Sequence, residues 1–522
     1  MKKLNILIYV LALFLSVTSC SDFLDAYSQD MVVASSVNDL DEVLLGSVYI
    51  HSSEISNGPT GRSTCGFFNV LDDDVNTGRG MSTGNNSANL NTWRNCLSLI
   101  FGYYAWQMDV GANYDETLVY SDATTWDDLY ARINYVNVIL DEITQLPHET
   151  DDEDATYLRV QGEAHFLRGW FYFVLANLYG DAYSPSTCEQ KLCVPLKLTP
   201  YVEHDKNKPT QFQRATVKEV YEQIVSDLLA AEDFLTQSPQ PEEHRLYRAS
   251  QEAADLLLSR VYLYMQEYEL AEQKADAVLS SRLVRLAPLS SLGESVDFLT
   301  ENNVELIFSQ GSNFLAPSSV FTGKAGDFCV TRELYDLYDE NDRRRVCFFS
   351  VPDSTSIDSI SLSHKYRRGI YRSHVSDAFT LRVAEAYLNK AEACAMQGNE
   401  TEALSLLNDL RTNRIDRYQD MSYSGEELVR QIRDERRKEL CFEGHRWFDL
   451  RRYAVCERYP YSRDIVHVYN TCGENTAYMY TESYMLKAND PAYTFSIPSS
   501  VLEFDEVPME NNPREEREPM GM

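Results

Sequence analysis

Basic residues are scarce in this chain, and long apolar runs are scarcer still. Lysine and arginine total 47 against 80 aspartates and glutamates, a formal charge of −33. So negative a surface repels phosphate backbones, which argues against nucleic acid and favours neutral over polyanionic glycans. Tryptophan is rare, at 5 residues against 34 tyrosines. Most aromatic surface therefore carries a hydroxyl, which suits helix packing and sugar stacking alike. No HExxH, GxSxG or phosphate-binding glycine loop occurs. There is no CxxC pair, and no Cys/His cluster has zinc spacing. A glycosidase needs two carboxyls at a set separation, and in so acidic a chain no pair stands out. No catalytic residue, cofactor or metal is therefore expected, and the chain does not read as an enzyme.

One apolar run is prominent. Residues 4–17 follow Lys2 and Lys3 and are interrupted only by Asn5 and Ser16. The run is too short to span a bilayer and reads as a cleaved signal over 1–19. Val17-Thr18-Ser19-Cys20 is a loose lipobox, so Cys20 is the expected lipidation site, with Asp22 and Asp25 behind it. Acyl chains there would contribute about 0.8 kcal/mol per buried methylene. The plainer alternative is a secretory signal with an incidental cysteine. Eleven cysteines leave ten after Cys20. Cys188 and Cys193 flank a short loop and form the close pair available to a disulfide, while Cys394 and Cys441 fall inside helical patterns as buried thiols.

Apolar periodicity is helical through much of the chain. Segments 126–143, 155–179 and 216–235 each carry an apolar face, and Thr216 with Glu219 has capping-box spacing. Residues 249–280 read as a helical hairpin: Leu258, Tyr262, Tyr268, Ala271, Ala275 and Val278 take tetratricopeptide-repeat positions. A second hairpin spans 379–412, with Ala391, Ala403, Leu407 and Leu410 packing and Gly398 at the turn. The hairpins are far apart in the chain, which predicts helical pairs separated by long insertions and no continuous array. The fold class expected is mainly α: a tetratricopeptide-like scaffold over 124–180, 216–280 and 378–454, with a few short β pairs such as 305–309. Loop-rich excursions fill 51–120, 181–213, 281–378 and 455–522. No low-complexity linker divides 20–522, which reads as one domain.

Long loops in a compact protein often carry function. Sugar recognition needs aromatic platforms beside amides or charges, and 65–110 supplies Asn76, Arg79, Asn85, Asn86, Trp93, Tyr103, Tyr104 and Trp106. Trp93 leads because its neighbours are polar, whereas Trp106 can equally pack on the scaffold. Asp72, Asp74 and Asn76 alternate like a calcium loop, but the glycine is one place late and Thr83 replaces the closing glutamate. A polar turn is the better reading.

The stretch ERRKELCFEGHRWFDLRRY, 435–453, is dense in charge yet carries Leu440, Phe442, Trp447, Phe448 and Leu450 at helical spacing. It reads as two helices broken near Gly444, with charges pairing across the junction. It resembles the late signature of the SusD/RagB family. CSDFLD (20–25), WDDLYARINYVNVIL (126–140), AHFLRGWFYFVLANLYGD (164–181), VELIFS (304–309), ELYDLYDENDRR (333–344), LRVAEAYLNKAEA (381–393), Ile497-Pro498 and Asn511-Asn512-Pro513 resemble other family segments in order. Glu506-Val507-Pro508 departs from it. The resemblance implies a nutrient-binding lipoprotein, lipid-anchored at the outer membrane and exposed on the cell surface, that hands oligosaccharides to a SusC-like TonB-dependent transporter. It also implies that loop aromatics from 65–110 and from the segment before 333–344 meet the ligand, which adds Phe314 and Phe321 as candidates. Peptide capture, a surface glycan-acting enzyme and a protein-interaction scaffold are the alternatives. Arg168, Arg436, Glu439, Glu443, Arg446, Trp447 and Asp449 are expected to hold helices together, since bidentate arginine–carboxylate pairs suit that task.

Overall fold

The structure, a computed structural model, describes residues 34–51, 65–78, 100–111, 124–201, 212–311, 313, 315, 328–351, 360–366, 375–472, 478–503 and 507–521. Cys20, Arg79, Asn85, Asn86, Trp93, Phe314 and Phe321 lie outside them.

Helix α1 (Val37–Val43) starts at a Ser36–Asp39 capping box and runs into a π turn, Leu44–Val48. Strand β1 (Val75–Thr77) and the short α2 (Phe101–Tyr104) follow. Then come α3 (Thr124–Glu142), α4 (Asp151–Tyr179), α5 (Val217–Gln237), α6 (Gln251–Met265) and α7 (Tyr268–Ser280). Next are β2 (Leu306–Ser309), β3 (Phe328–Val330), α8 (Arg332–Asp336), α9 (Arg343–Phe348), β4 (Phe349–Ser350), β5 (Ser361–Leu362) and β6 (Thr380–Arg382). Helices α10 (Val383–Gln397), α11 (Glu400–Thr412), α12 (Gly425–Glu439) and α13 (Arg446–Ala454) complete the scaffold. Strands β7 (Ile465–Cys472) and β8 (Tyr478–Leu486) precede a last turn, α14 (Ser499–Leu502).

Local chemistry explains the long helices. Thr150 and Glu153 form a capping box on α4, and Asp151, Asp152, Glu153 and Asp154 sit where the helix dipole favours negative charge. The expected Thr216–Glu219 box caps α5. On α5 the buried Val217, Val220, Tyr221, Ile224, Leu228, Ala231 and Leu235 make one stripe. That stripe meets α4 closely because α4 is bare at two points. A Cβ on Gly162 would lie 2.7 Å from Leu235 Cγ, and one on Gly169 3.0 Å from Leu228 Cδ2.

The hairpins stack without a break, so the expectation of separated pairs is corrected. Packing runs from α3 through α4, α5, α6 and α7, then directly onto α10, which carries α11 and α12. The insertion after α7 loops away and returns. Tyr268 and Leu279 of the first repeat hairpin pack with Ala391, Ala395 and Leu407 of the second. Arg260 on α6 donates to Glu385 on α10 at 2.6 and 2.7 Å. Gly398 turns α10 into α11 with φ +87°, a left-handed geometry that favours glycine.

Every sheet among the described residues is a two-stranded antiparallel pair: β1–β3, β2–β6, β4–β5 and β7–β8. The longest, β7–β8, lies in the excursion 455–522, which the sequence reads as loop-rich with at most short β pairs.

Candidate functional site

The signature stretch lies at the junction of α12 and α13 and is almost wholly buried. Gly444 breaks the two helices at φ +72°, as the sequence predicts. The stripe Leu428, Val429 and Ile432 on α12 is continued by the buried Glu435, Arg436 and Glu439. Glu439 accepts from Arg344 at 2.7 Å, Arg382 at 2.7 Å and Arg414 at 2.9 Å. Burial alone would raise its pKa; Arg414, Arg382 and Arg344 outweigh it and hold the carboxyl well below the usual range. Glu443 pairs with Arg382 at 2.8 Å and Lys365 at 2.7 Å. Arg436 donates to Asp449 at 2.9 and 3.0 Å and to Asn389 at 2.7 Å. Arg168 grips Asp227 between α4 and α5, at 3.0 and 2.6 Å. Trp447 stacks on Tyr493 with centroids 4.7 Å apart.

These pairs also reach the loop side. Arg446 makes a bidentate pair with Asp73, at 2.7 and 2.8 Å. Arg437 donates to Asp74 at 2.7 Å, and Arg463 to Asp73 at 2.9 Å. Asp72, Asp73 and Asp74 lie within 4.8 Å of one another. Arginine charge already occupies this cluster. Burial opposes ionisation of Asp73, but Arg437, Arg446 and Arg463 drive its pKa below the ordinary carboxylate range. Burial and the neighbouring aspartates push Asp72 well above that range, and its carboxyl accepts the Asp74 amide at 2.9 Å. The cluster is thus a buried turn braced by arginines, the polar-turn reading of the calcium-like spacing.

Strand β1 leaves directly from this turn. It pairs with β3 in the register Val75↔Val330, Asn76↔Cys329 and Thr77↔Phe328. It also meets β7 through side chains. Thr77 Oγ1 donates to the Val468 carbonyl at 2.7 Å, and the Asn470 amide donates to Thr77 Oγ1 at 2.8 Å. Asn76 Oδ1 accepts the Val468 amide at 2.8 Å. Segment 79–99, which carries Arg79 and Trp93, leaves from the end of β1. Segment 316–327, which carries Phe321, arrives at the start of β3. The Thr77↔Phe328 pair therefore gives both segments a common root. Strand β7 runs on past Asn470 to Cys472, which pairs with Tyr478 of β8.

Three candidate platforms are corrected. Tyr103, Tyr104 and Trp106 are 3%, 1% and 0% exposed. Tyr103 stacks on Phe67 at 4.0 Å. Tyr104 and Trp106 sandwich the His467 ring at 4.3 and 4.2 Å. Trp106 Nε1 donates to the Leu71 carbonyl at 2.9 Å, and Tyr104 donates to the Val468 carbonyl at 2.7 Å. These rings hold the root from beneath and present no face to a ligand. Asn76 is committed to β7. Composition could not separate a buried amphipathic ring from an exposed one, and no sequence signal singled out His467 as the plate between the two rings. Cys188 and Cys193 are buried free thiols, so the disulfide that their spacing permitted is not formed.

Stacked hairpins carrying an irregular, loop-borne face define a tetratricopeptide-like scaffold of one class. Residues 67–263 match the family described as "Starch-binding associating with outer membrane", and 359–513 match the SusD family. SusD-like protein P25 of Formosa agariphila is 23% identical, over 87% of this chain and 90% of that protein. A SusD superfamily protein of Bacteroides thetaiotaomicron superposes with a TM-score of 0.66 at 20% identity, covering 92% of this chain and all of that one. A SusD-like carbohydrate binding protein of Bacteroides vulgatus gives 0.65 at 20% identity, over 91% of this chain and 99% of that one. The chain belongs to the SusD/RagB family.

Proposed function

We propose that this chain is a cell-surface nutrient-binding lipoprotein that captures neutral oligosaccharides and passes them to a TonB-dependent transporter in the outer membrane. The observation that carries the reading is the Thr77↔Phe328 pair, which sets the described residues next in sequence to the segments bearing Arg79, Trp93 and Phe321 on neighbouring strands. The rings and amides of those two segments, with Phe314 close by in sequence, have the composition that a saccharide platform needs. The matched family's description as starch-binding and the carbohydrate-binding relative in Bacteroides vulgatus support this ligand class. So does the charge of −33, which disfavours polyanions. No helix among the described residues is long and apolar enough to cross a membrane, and Cys20 supplies the anchor in this reading. The function is capture and transfer without covalent chemistry.

Calorimetry against neutral oligosaccharides and against a peptide panel tests the ligand class. Binding confined to glycans supports the proposal, and binding confined to peptides replaces it with peptide capture. Glycan turnover, lost on changing one carboxylate, would make the chain an enzyme. For the anchor, Cys20→Ala should release the chain from the membrane fraction.

A further inference from the structure

A cleft of about 880 Å³ opens where four stretches of chain meet: the loop 181–192, the end of α13, the turn 489–494 and the strap 510–513. It involves none of the residues of the β1–β3 root. Its volume falls within the range of small-molecule sites, about 300–1,000 Å³.

The cleft is built on a fixed frame. Arg214 donates to the carbonyls of Cys193, Glu510 and Tyr179 at 2.6, 2.9 and 3.1 Å, and to Asn512 Oδ1 at 2.9 Å. Asn512 donates in turn to the carbonyls of Tyr179 at 2.7 Å and Phe495 at 2.6 Å. Arg451 donates to the carbonyls of Asn177 and Gly180. These bonds tie together segments hundreds of residues apart, so little ordering remains to oppose binding.

Most of the wall charges are already engaged. Lys191 pairs with Asp181 at 3.2 Å, Asp490 with Arg517 at 2.6 Å, and Arg463 with Asp73 at 2.9 Å. Uncharged lining groups with no hydrogen-bond partner among the described residues include the Tyr493 hydroxyl, the Gln190 side chain and Asn511 Nδ2; the Glu510 carboxyl, which has no ion pair among them, is exposed. Asn489 Nδ2 has only a 3.5 Å contact to Ser462 Oγ. The Tyr493 ring is backed by Trp447, which keeps it rigid. An aromatic ring beside uncommitted amides and a hydroxyl matches a sugar, whose C–H face stacks while its hydroxyls hydrogen-bond.

We infer that this cleft is a second binding site for a neutral oligosaccharide, separate from the face rooted at Thr77 and Phe328. The inference rests on the carbohydrate-binding reading above. The test is calorimetry on the full chain with neutral gluco-, manno-, galacto- and xylo-oligosaccharides. A triple variant, Gln190→Ala with Asn489→Gly and Tyr493→Phe, removes the Gln190, Asn489 and Tyr493 polar groups, leaves Asn511 in place because its Oδ1 holds the strap, keeps the ring and suits the left-handed φ of +59° at Asn489. The expected result is that two classes of site fall to one in the triple variant, or that one class weakens at least tenfold, with the unfolding temperature unchanged. Trp93→Ala should remove the other class. A single class lost with Trp93→Ala and untouched by the triple variant overturns the cleft alone. A wild-type chain that binds no glycan overturns both readings.

Discussion

Arg446 on α13 clasps Asp73, 373 residues earlier in the chain, through two bonds of 2.7 and 2.8 Å. The pair is buried on both sides, at 7% and 4% side-chain exposure. It joins the α12–α13 junction to the turn from which β1 departs. Through this pair the family signature fixes the base of the loop-borne face.

Removing one partner of such a pair strands a buried charge, which costs about 3–5 kcal/mol. Arg446→Ala should lower the unfolding free energy by an amount of that order, because Asp73 keeps only Arg437 and Arg463. Denaturant unfolding measures the loss. Glycan affinity of the folded fraction should stay within twofold of the wild type. A normally stable variant that selectively loses glycan binding contradicts this assignment.

Trp106→Ala should destabilise by about 3–5 kcal/mol, the usual cost of emptying a buried aromatic site. The ring packs on His467, and its indole nitrogen serves the Leu71 carbonyl. Thermal unfolding reports the loss. A stable Trp106→Ala chain with altered glycan affinity would return this ring to the ligand face.

Glu392 supplies a pH signature. Burial raises its pKa, but Arg452 and Arg433 more than reverse this and bring it to about 2, against 4.5 for the free group. A carboxyl depressed by folding stabilises fully above its unfolded pKa, and its contribution disappears as pH falls through the folded value. The window is therefore pH 4.5 down to about 2, and the shift corresponds to about 3 kcal/mol. The stability gap between the wild type and Glu392→Gln should be widest above pH 5 and narrow towards pH 3 in urea titrations. A gap independent of pH would contradict the pairing.

Cys188 and Cys193 should be inert to reductant. Burial pushes the Cys193 thiol up to about 12, which keeps it protonated and unreactive. Its sulfur packs where a Cβ on Gly180 would stand 2.5 Å away. Unfolding temperatures with and without dithiothreitol should coincide. A drop on reduction would reveal a disulfide.

Helix positions were legible in the sequence because their apolar periodicity is strong. The predicted 155–179 and 249–280 correspond to α4 and to the α6–α7 hairpin, and the break at Gly444 falls where it was expected. What periodicity cannot carry is long-range geometry. Nothing local in 268–280 says that α7 packs on α10, because that contact depends on a hundred-residue insertion returning to its start. Strands β7 and β8 were missed because Tyr, Thr and His interrupt the simple alternation of apolar and polar positions. At the loop-borne face, Asn76, Tyr103, Tyr104 and Trp106 have the composition of a sugar platform. Burial decides their role, and burial is set by β7 and by Phe67, far away in sequence. The polar turn that the sequence favoured at Asp72 and Asp74 is braced by Arg437, Arg446 and Arg463, which come from the other end of the chain.

The most direct test of the central claim is amide hydrogen exchange on the full chain with and without a bound neutral oligosaccharide. The account predicts that 79–99 and 316–327 gain protection together, because both leave one root at Thr77 and Phe328. Protection confined to the stacked helices, with both segments unchanged, would contradict it.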